Sequence, residues 1–144
     1  MRITSNQTIL LVEDSNEDFE ATIRAFKKSQ LHNPVFRCEN GDQALDYLFS
    51  RGLYADKDKY PAPGIVLLDL NIPGTNGRDI LKAAKSDPET RRIPIIVLTT
   101  SEDKMDILHC YDDGANSYIH KPVNLSSFME AIERLRDYWF EVVV

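Results

Sequence analysis

Ile65-Val66-Leu67-Leu68-Asp69-Leu70-Asn71-Ile72-Pro73-Gly74 is the stretch of the sequence that decides the fold. Four apolar residues run directly into the carboxylate of Asp69, and Pro73 and Gly74 then interrupt the chain. A continuous apolar run of this length is typical of a strand that is buried on both faces of a parallel sheet. In open α/β sheets the functional crevice lies at the C-terminal ends of the strands, so we expect Asp69 to lie at that edge.

The rest of the chain alternates short apolar runs with amphipathic stretches, which is the pattern of repeated βα units around a parallel sheet. Strands are predicted at residues 8–12, 35–38, 65–69, 93–101 and 115–120, the last of them at a sheet edge. Helices are predicted after a cap at Ser15 or Asn16, from 40–42, over 77–85, over 102–113 with Ile107, Leu108 and Tyr111, and after a cap at Asn124 or Ser126.

The segment 50–64 lacks either pattern and is long for a connection between a helix and a strand. Its charges, prolines and glycines favour a solvated insertion. A partner contact is the alternative, which Leu53, Tyr54 and Tyr60 support.

Composition and charge narrow the class of protein. The 144 residues suit one domain, and the net charge of −6 without a basic cluster argues against direct nucleic-acid binding. No apolar run approaches the length of a membrane span or of a secretion signal. The two cysteines form no CxxC pair, which favours a reducing, cytoplasmic setting.

Chemically useful side chains follow four of the predicted strands. Right-handed crossovers bring these strand ends to one edge of the sheet, and the side chains concerned are Glu13, Asp14, Asp69, Thr99 and Lys121. Clustered carboxylates repel one another unless a cation sits among them. Oxygen ligands without Cys or His suit Mg²⁺ or Mn²⁺, and the backbone carbonyl of Asn71 is placed to complete the set.

The same edge suits phosphoryl transfer. A carboxylate such as Asp69 is a competent nucleophile toward activated phosphorus, and the chemistry then needs positioning and charge neutralisation. The metal, the Lys121 ammonium and the Thr99 hydroxyl could each neutralise or bind one phosphoryl oxygen.

Several motifs of the sequence together resemble the receiver domain of two-component response regulators. The resemblance rests on Glu13-Asp14, on Leu68 to Pro73 with Gly77, on Leu98-Thr99-Thr100, on Tyr118 and on Lys121-Pro122. It implies a doubly wound (βα)5 flavodoxin-like fold with a five-stranded parallel sheet of order 2-1-3-4-5. It also implies one receiver domain over 1–144 without an output domain, and a signalling protein rather than an enzyme.

The resemblance implies roles for single residues. Asp69 takes a phosphoryl group from a phosphohistidine of a sensor kinase, with Glu13, Asp14, Asp69 and the Asn71 carbonyl holding the metal. Thr99 and Tyr118 change position on phosphorylation, and a cis peptide bond joins Lys121 to Pro122. Many receivers have two aspartates where this chain has Glu13-Asp14, so the longer Glu13 reaches the metal directly or through water.

A narrower resemblance links the chain to small stand-alone regulators that partner cyanobacterial phytochromes. It rests on the loop 52–63, the run 92–101 and the aromatic end Tyr138-Trp139-Phe140. It implies a light-sensing histidine kinase as the donor.

The last helix has an apolar stripe through Phe128, Ile132, Leu135 and Trp139, and Tyr138 and Phe140 lie off that stripe. A large exposed apolar surface is typical of a partner face, so we favour a homodimer contact through the last helices and the aromatic end. A tail folded back on its own domain is the alternative.

Two other classes share parts of the pattern. A flavodoxin-like cofactor binder needs a phosphate loop after the first strand, where this chain has the acidic Glu13 to Asp18. A phosphohydrolase that forms an aspartyl-phosphate usually carries a second acid near the nucleophile, for example two residues on, where this chain has Asn71.

Overall fold

The computed structural model describes residues 6–135, apart from the side chains of Ile132, Arg134 and Leu135. Its strands are β1 (Ile9–Val12), β2 (Val35–Cys38), β3 (Ile65–Asp69), β4 (Ile95–Thr99) and β5 (Ser117–His120). They form one parallel sheet of order β2-β1-β3-β4-β5. The flavodoxin-like fold and its strand order are therefore confirmed, with β5 at an edge.

The helices are α1 (Asn16–Lys28), α2 (Gly41–Leu48), α3 (Gly77–Ser86), α4 (Lys104–Asp112) and α5 (Leu125–Leu135). Polar side chains begin them by accepting a backbone N–H of the first turn: Ser15 for α1, Asn40, Asn76, Asp103, and Asn124 for α5. Of the alternative caps for α1 and α5, the structure thus uses Ser15 and Asn124. Over the described residues no helix combines the length and the apolar character that a membrane crossing demands.

Two helical layers cover the sheet. Alternate residues of a strand point to opposite faces, so Ile9 and Leu11 pack with α1 and α5, whereas Leu10 and Val12 pack with α2 and α3. Strands β1, β3 and β4 are buried along their whole length. This double coverage explains why they appear in the sequence as continuous apolar runs.

Helix α4 leaves most of its large apolar side chains exposed. Met105, Leu108 and Tyr111 are exposed, Ile107 is half-buried, and Cys110 is the buried residue of the helix. The helix lies within the predicted 102–113, but the spacing of its apolar residues does not say which of them face the sheet. In α5, Phe128 is buried under the sheet as predicted. The predicted continuation of that stripe through Ile132, Leu135 and Trp139, and the aromatic end 138–140, lie outside what the structure describes.

The loop 50–64 is largely exposed, as predicted, but Tyr54 is buried and Tyr60 is half-buried. A 3-10 helix (Gly52–Tyr54) brings Tyr54 into an aromatic cluster with Phe36, Tyr47 and Tyr60. The ring centroids of this cluster lie 4.9–6.1 Å apart, and the Tyr47 hydroxyl donates a hydrogen bond to the Pro61 carbonyl at 2.9 Å. Leu53 alone of the three candidate contact residues is fully exposed, at 78%.

Packing of the aromatic cluster predicts late ionisation of two tyrosines. Burial raises the pKa of Tyr47 and of Tyr54 from 10.0 to about 12. The folded protein thus keeps two protons that the unfolded chain loses, so the free energy of unfolding should fall as the pH rises from about 10 to about 12. Titration of the phenolate absorbance should show this late phase, reduced by one tyrosine in each of Tyr47→Phe and Tyr54→Phe. Ionisation of every tyrosine near pH 10 in the folded protein would contradict the packing.

Candidate functional site

The C-terminal ends of four strands meet at one edge of the sheet. The register pairs Val12 with Leu68, Asp69 with Leu98 and Thr99 with His120. Because each neighbouring strand ends within a residue or two of the next, the side chains that follow them project into one region. The structure therefore places Glu13, Asp14, Asp69, Thr99 and Lys121 together at the edge expected from the sequence.

The Lys121 ammonium is the centre of this edge. Its Nζ lies 2.8 Å from Asp69 Oδ2, 2.9 Å from Glu13 Oε1 and 2.7 Å from Asp18 Oδ2. The Lys121 backbone N–H donates to the Thr99 carbonyl at 2.8 Å, which fixes the chain at the end of β5. The Lys121–Pro122 peptide bond is cis, as the resemblance implied.

Asp69 is buried, and both of its carboxylate oxygens have a partner. Oδ2 accepts from Lys121 Nζ, and Oδ1 accepts the Asn71 backbone N–H at 2.9 Å. The turn that follows is tight, because a Cβ on Gly77 would lie 2.7 Å from the Asp69 carbonyl oxygen. Only glycine fits at this close approach, which gives the predicted Gly77 a steric reason.

Glu13 is fully buried, and its charge is poorly compensated. Burial raises the pKa of Glu13 from 4.5 to about 7, and the nearby Asp69 adds to this although Lys121 opposes it. Its Oε2 accepts from the Ser15 backbone N–H and from Lys121 Nζ, each at 3.2 Å. Its Oε1 lies within ion-pair distance of Lys121 but receives no well-directed hydrogen bond. This oxygen is an acceptor with unused capacity, pointing into the acidic cluster.

Lys121 keeps its charge in spite of burial. Burial alone would lower its pKa, but hydrogen bonds to Asp18, Asp69 and Glu13 outweigh that effect and raise the pKa above the usual value. Around it stand the four carboxylates of Glu13, Asp14, Asp18 and Asp69. One ammonium does not balance four carboxylates, so the site has a surplus of negative charge whenever its acids are ionised.

The donor set fits a hard divalent cation. Oxygens of Glu13, Asp14 and Asp69 all lie within 4.8 Å of one another, with Asp14 exposed at the mouth and the other two buried. Carboxylate oxygens with access to water are the ligands that Mg²⁺ and Mn²⁺ prefer. The unsatisfied Glu13 Oε1 is a further acceptor in the same cluster.

Thr99 ends β4 and Tyr118 lies on the neighbouring strand β5. The buried Thr99 hydroxyl accepts the Ser101 backbone N–H at 3.0 Å and borders a cleft of about 370 Å³ between α3 and α4. Asn71, Arg78 and Asp106 also line that cleft. Tyr118 is half-buried on β5, with its ring edge-on to Tyr111 at 6.1 Å.

Sequence reasoning missed Asp18. An acidic residue in the first turn of a helix already has an ordinary role there, whereas the Asp18 side chain makes an ion pair with Lys121. The signal was present in the sequence, because a helix that starts at the functional edge holds its first turn near that edge. Asp18 is three residues after the cap Ser15.

Known proteins match this chain over most of its length. The family model of the response regulator receiver domain matches residues 9–133. Response regulator Rcp1 of Synechocystis sp. is 34% identical over 137 residues, which cover 95% of this chain and 91% of the relative.

Three solved structures cover similar lengths. The bacteriophytochrome response regulator RtBRR has a TM-score of 0.84 and 38% identity, covering 93% of this chain and 80% of its own. The phosphorylated cyanobacterial phytochrome response regulator RcpA has a TM-score of 0.77 and 37% identity, covering 93% and 94%. A Mn²⁺-bound form of response regulator Rcp1 has a TM-score of 0.77 and 33% identity, covering 96% and 97%.

Proposed function

The chain belongs to the response regulator receiver family, and from that premise we propose that Asp69 accepts a phosphoryl group from a phosphohistidine of a sensor histidine kinase. The single observation that carries the assignment to Asp69 is its place at the end of β3, where it is bonded to Lys121 and surrounded by acids. The relatives named for phytochromes support a light-sensing kinase as the donor.

The transfer uses the Asp69 carboxylate as the nucleophile. One of its oxygens forms the bond to phosphorus, while the P–N bond of the donor breaks and its electron pair returns to the imidazole nitrogen. The Lys121 ammonium, now 2.8 Å from Asp69 Oδ2, turns toward a phosphoryl oxygen and offsets its charge. The Thr99 hydroxyl exchanges its bond with Ser101 for one to a second phosphoryl oxygen.

A divalent cation, Mg²⁺ or Mn²⁺, would be held by Glu13, Asp14, Asp69 and the Asn71 carbonyl, and would neutralise the remaining phosphoryl charge. The unsatisfied oxygen of the buried Glu13 supports direct ligation over contact through water. Tyr118 reports the new position of Thr99 to the surface of α4 and β5, where it meets Tyr111.

The rival classes lack support at this site. A flavodoxin-like binder would face the carboxylates of Glu13, Asp14 and Asp18 where a phosphate should lie. A phosphohydrolase of this kind usually carries a second acid near the nucleophile, for example two residues on, where Asn71 instead donates its backbone N–H to Asp69. We therefore assign the protein to signalling rather than to phosphate-ester turnover, and its place in the cytoplasm stays a prediction.

The output is proposed to be a contact between two copies of the chain. Met105, Leu108 and Tyr111 of α4 and Leu125 and Met129 of α5 are exposed at 38–55%. Large exposed apolar side chains on two consecutive helices are typical of a partner surface. The aromatic end Tyr138-Trp139-Phe140, which the sequence also assigns to this contact, lies outside the described residues.

A small-molecule phosphodonor tests the acceptor directly. Incubation with acetyl phosphate and Mg²⁺ should add the mass of one phosphoryl group to the intact protein. The reason is that Asp69 can attack an activated phosphoryl group whose negative charge the site neutralises. Asp69→Asn should abolish the addition, excess EDTA should suppress it, and Asp58→Asn in the exposed loop should leave it unchanged. No addition to the wild type, or full addition to Asp69→Asn, would overturn the proposal.

Sizing in solution tests the dimer. Leu108→Asp should raise the dimer dissociation constant by about tenfold or more, since a charge would be buried in an apolar contact. Leu53→Asp is the matched control, because Leu53 is also an exposed leucine, at 78% against 50% for Leu108, but lies on the 50–64 loop. Sedimentation with and without a phosphoryl mimic gives the constants. A wild-type monomer in both states, or equal effects of the two variants, would contradict the proposed face.

A further inference from the structure

Asp18 makes the shortest ion pair of the functional edge. Its Oδ2 lies 2.7 Å from Lys121 Nζ, against 2.8 Å for Asp69 and 2.9 Å for Glu13. The Asp18 side chain is 28% exposed, whereas those of Glu13 and Asp69 are almost inaccessible. Lys121 is therefore bound from the side of α1 as well as from the sheet.

The Asp18 carboxylate is not needed to start the helix. The cap of α1 uses the Asp18 backbone N–H, which donates to Ser15 Oγ, and the Asp18 carbonyl accepts from the Thr22 hydroxyl. Glu17 in the same turn provides the same favourable charge at the helix N-terminus. The carboxylate of Asp18 is thus left with Lys121 as its observed partner.

An ammonium has three hydrogens, and here three carboxylates from three elements surround it. When Asp69 forms its bond to phosphorus, negative charge moves from the Asp69 carboxylate to the phosphoryl oxygens. The hydrogen that faced Asp69 is then free to follow that charge. Glu13 and Asp18 can keep the other two hydrogens, so the ammonium need only reorient and stays in place.

We propose that Asp18 is a positioning residue for phosphoryl transfer: with Glu13 it anchors Lys121 from the α1 side and so leaves one N–H directed at the phosphoryl group. The proposal rests on the proposed function of Asp69. Without Asp18, the ammonium is shared by Glu13 and Asp69 alone, which ties it more closely to the unreacted carboxylate. Phosphorylation then has to break a stronger pair and to hold a less constrained lysine.

Two charge-matched, isosteric variants in the same helical turn test this role. Asp18→Asn and Glu17→Gln each remove one negative charge from the first turn of α1, but only Asp18 contacts Lys121. With acetyl phosphate and Mg²⁺, Asp18→Asn should slow the phosphorylation of Asp69 by about tenfold, the value of one charged hydrogen bond. Glu17→Gln should be phosphorylated within about twofold of the wild-type rate, since it removes only a charge whose effect on the site is screened by solvent and salt.

A second measurement does not depend on activity, and its first part uses the wild type alone. In NMR spectra of the ¹⁵N-labelled wild type, the ammonium hydrogens of Lys121 should exchange with water far more slowly than those of exposed lysines. The reason is that they are hydrogen-bonded to carboxylates. Exchange should accelerate in Asp18→Asn and not in Glu17→Gln. A wild-type Lys121 signal that exchanges as fast as exposed lysines would overturn the proposal.

The outcomes separate this inference from the function on which it rests. Absence of phosphorylation in the wild type would overturn both. If the wild type is phosphorylated and Asp18→Asn and Glu17→Gln are phosphorylated at equal rates, Asp69 stays the acceptor and the role of Asp18 is refuted. A selective loss of rate together with faster exchange of the Lys121 hydrogens would establish it.

Discussion

The arrangement of this protein depends on one buried ammonium. Lys121 stands among the carboxylates of Glu13, Asp18 and Asp69, two of them almost inaccessible to water. Burying carboxylates without a cation is costly, and placing them side by side adds repulsion. A positive charge between the ends of β1 and β3 therefore lowers the free-energy cost of holding these acids side by side. Lys121 provides that charge but not enough of it, and the remaining deficit is what makes the edge attractive to a divalent cation.

The sheet makes this charge arrangement rigid. Strands β1, β3 and β4 are buried on both faces, so the positions of Glu13, Asp69 and Thr99 are set by core packing rather than by loops. The turn after Asp69 is fixed by the close approach at Gly77. Phosphoryl transfer depends mainly on the positioning of the reacting groups, so a rigid sheet favours it. The proposed transfer then requires few parts to move, namely the Lys121 ammonium, the Thr99 hydroxyl and the side chains between β5 and α4.

The sequence predicts the central strands and the gathering of Glu13, Asp69 and Lys121 well, because apolar runs and parallel topology are enough to derive them. It does not predict the role of Asp18, since an acidic residue in a first helical turn already has an ordinary explanation. The sequence also does not show which apolar side chains of α4 face the sheet, because their spacing carries no direction. Tyr54 and Tyr60 support a partner contact in the sequence, whereas the structure packs them against Phe36 and Tyr47, and local pattern does not reveal these contacts.

The central claim is that Lys121 offsets the buried charges of Glu13 and Asp69. The most direct test is the free energy of unfolding of Lys121→Met, measured at pH 8, where Glu13, with a pKa of about 7, is largely ionised. We predict a loss of about 3 kcal/mol in the wild-type background, the usual cost of removing one partner from a buried ion pair. In a Glu13→Gln, Asp69→Asn background the same substitution should cost less than about 1 kcal/mol, since the buried charges are gone. Equal losses in the two backgrounds would contradict the account.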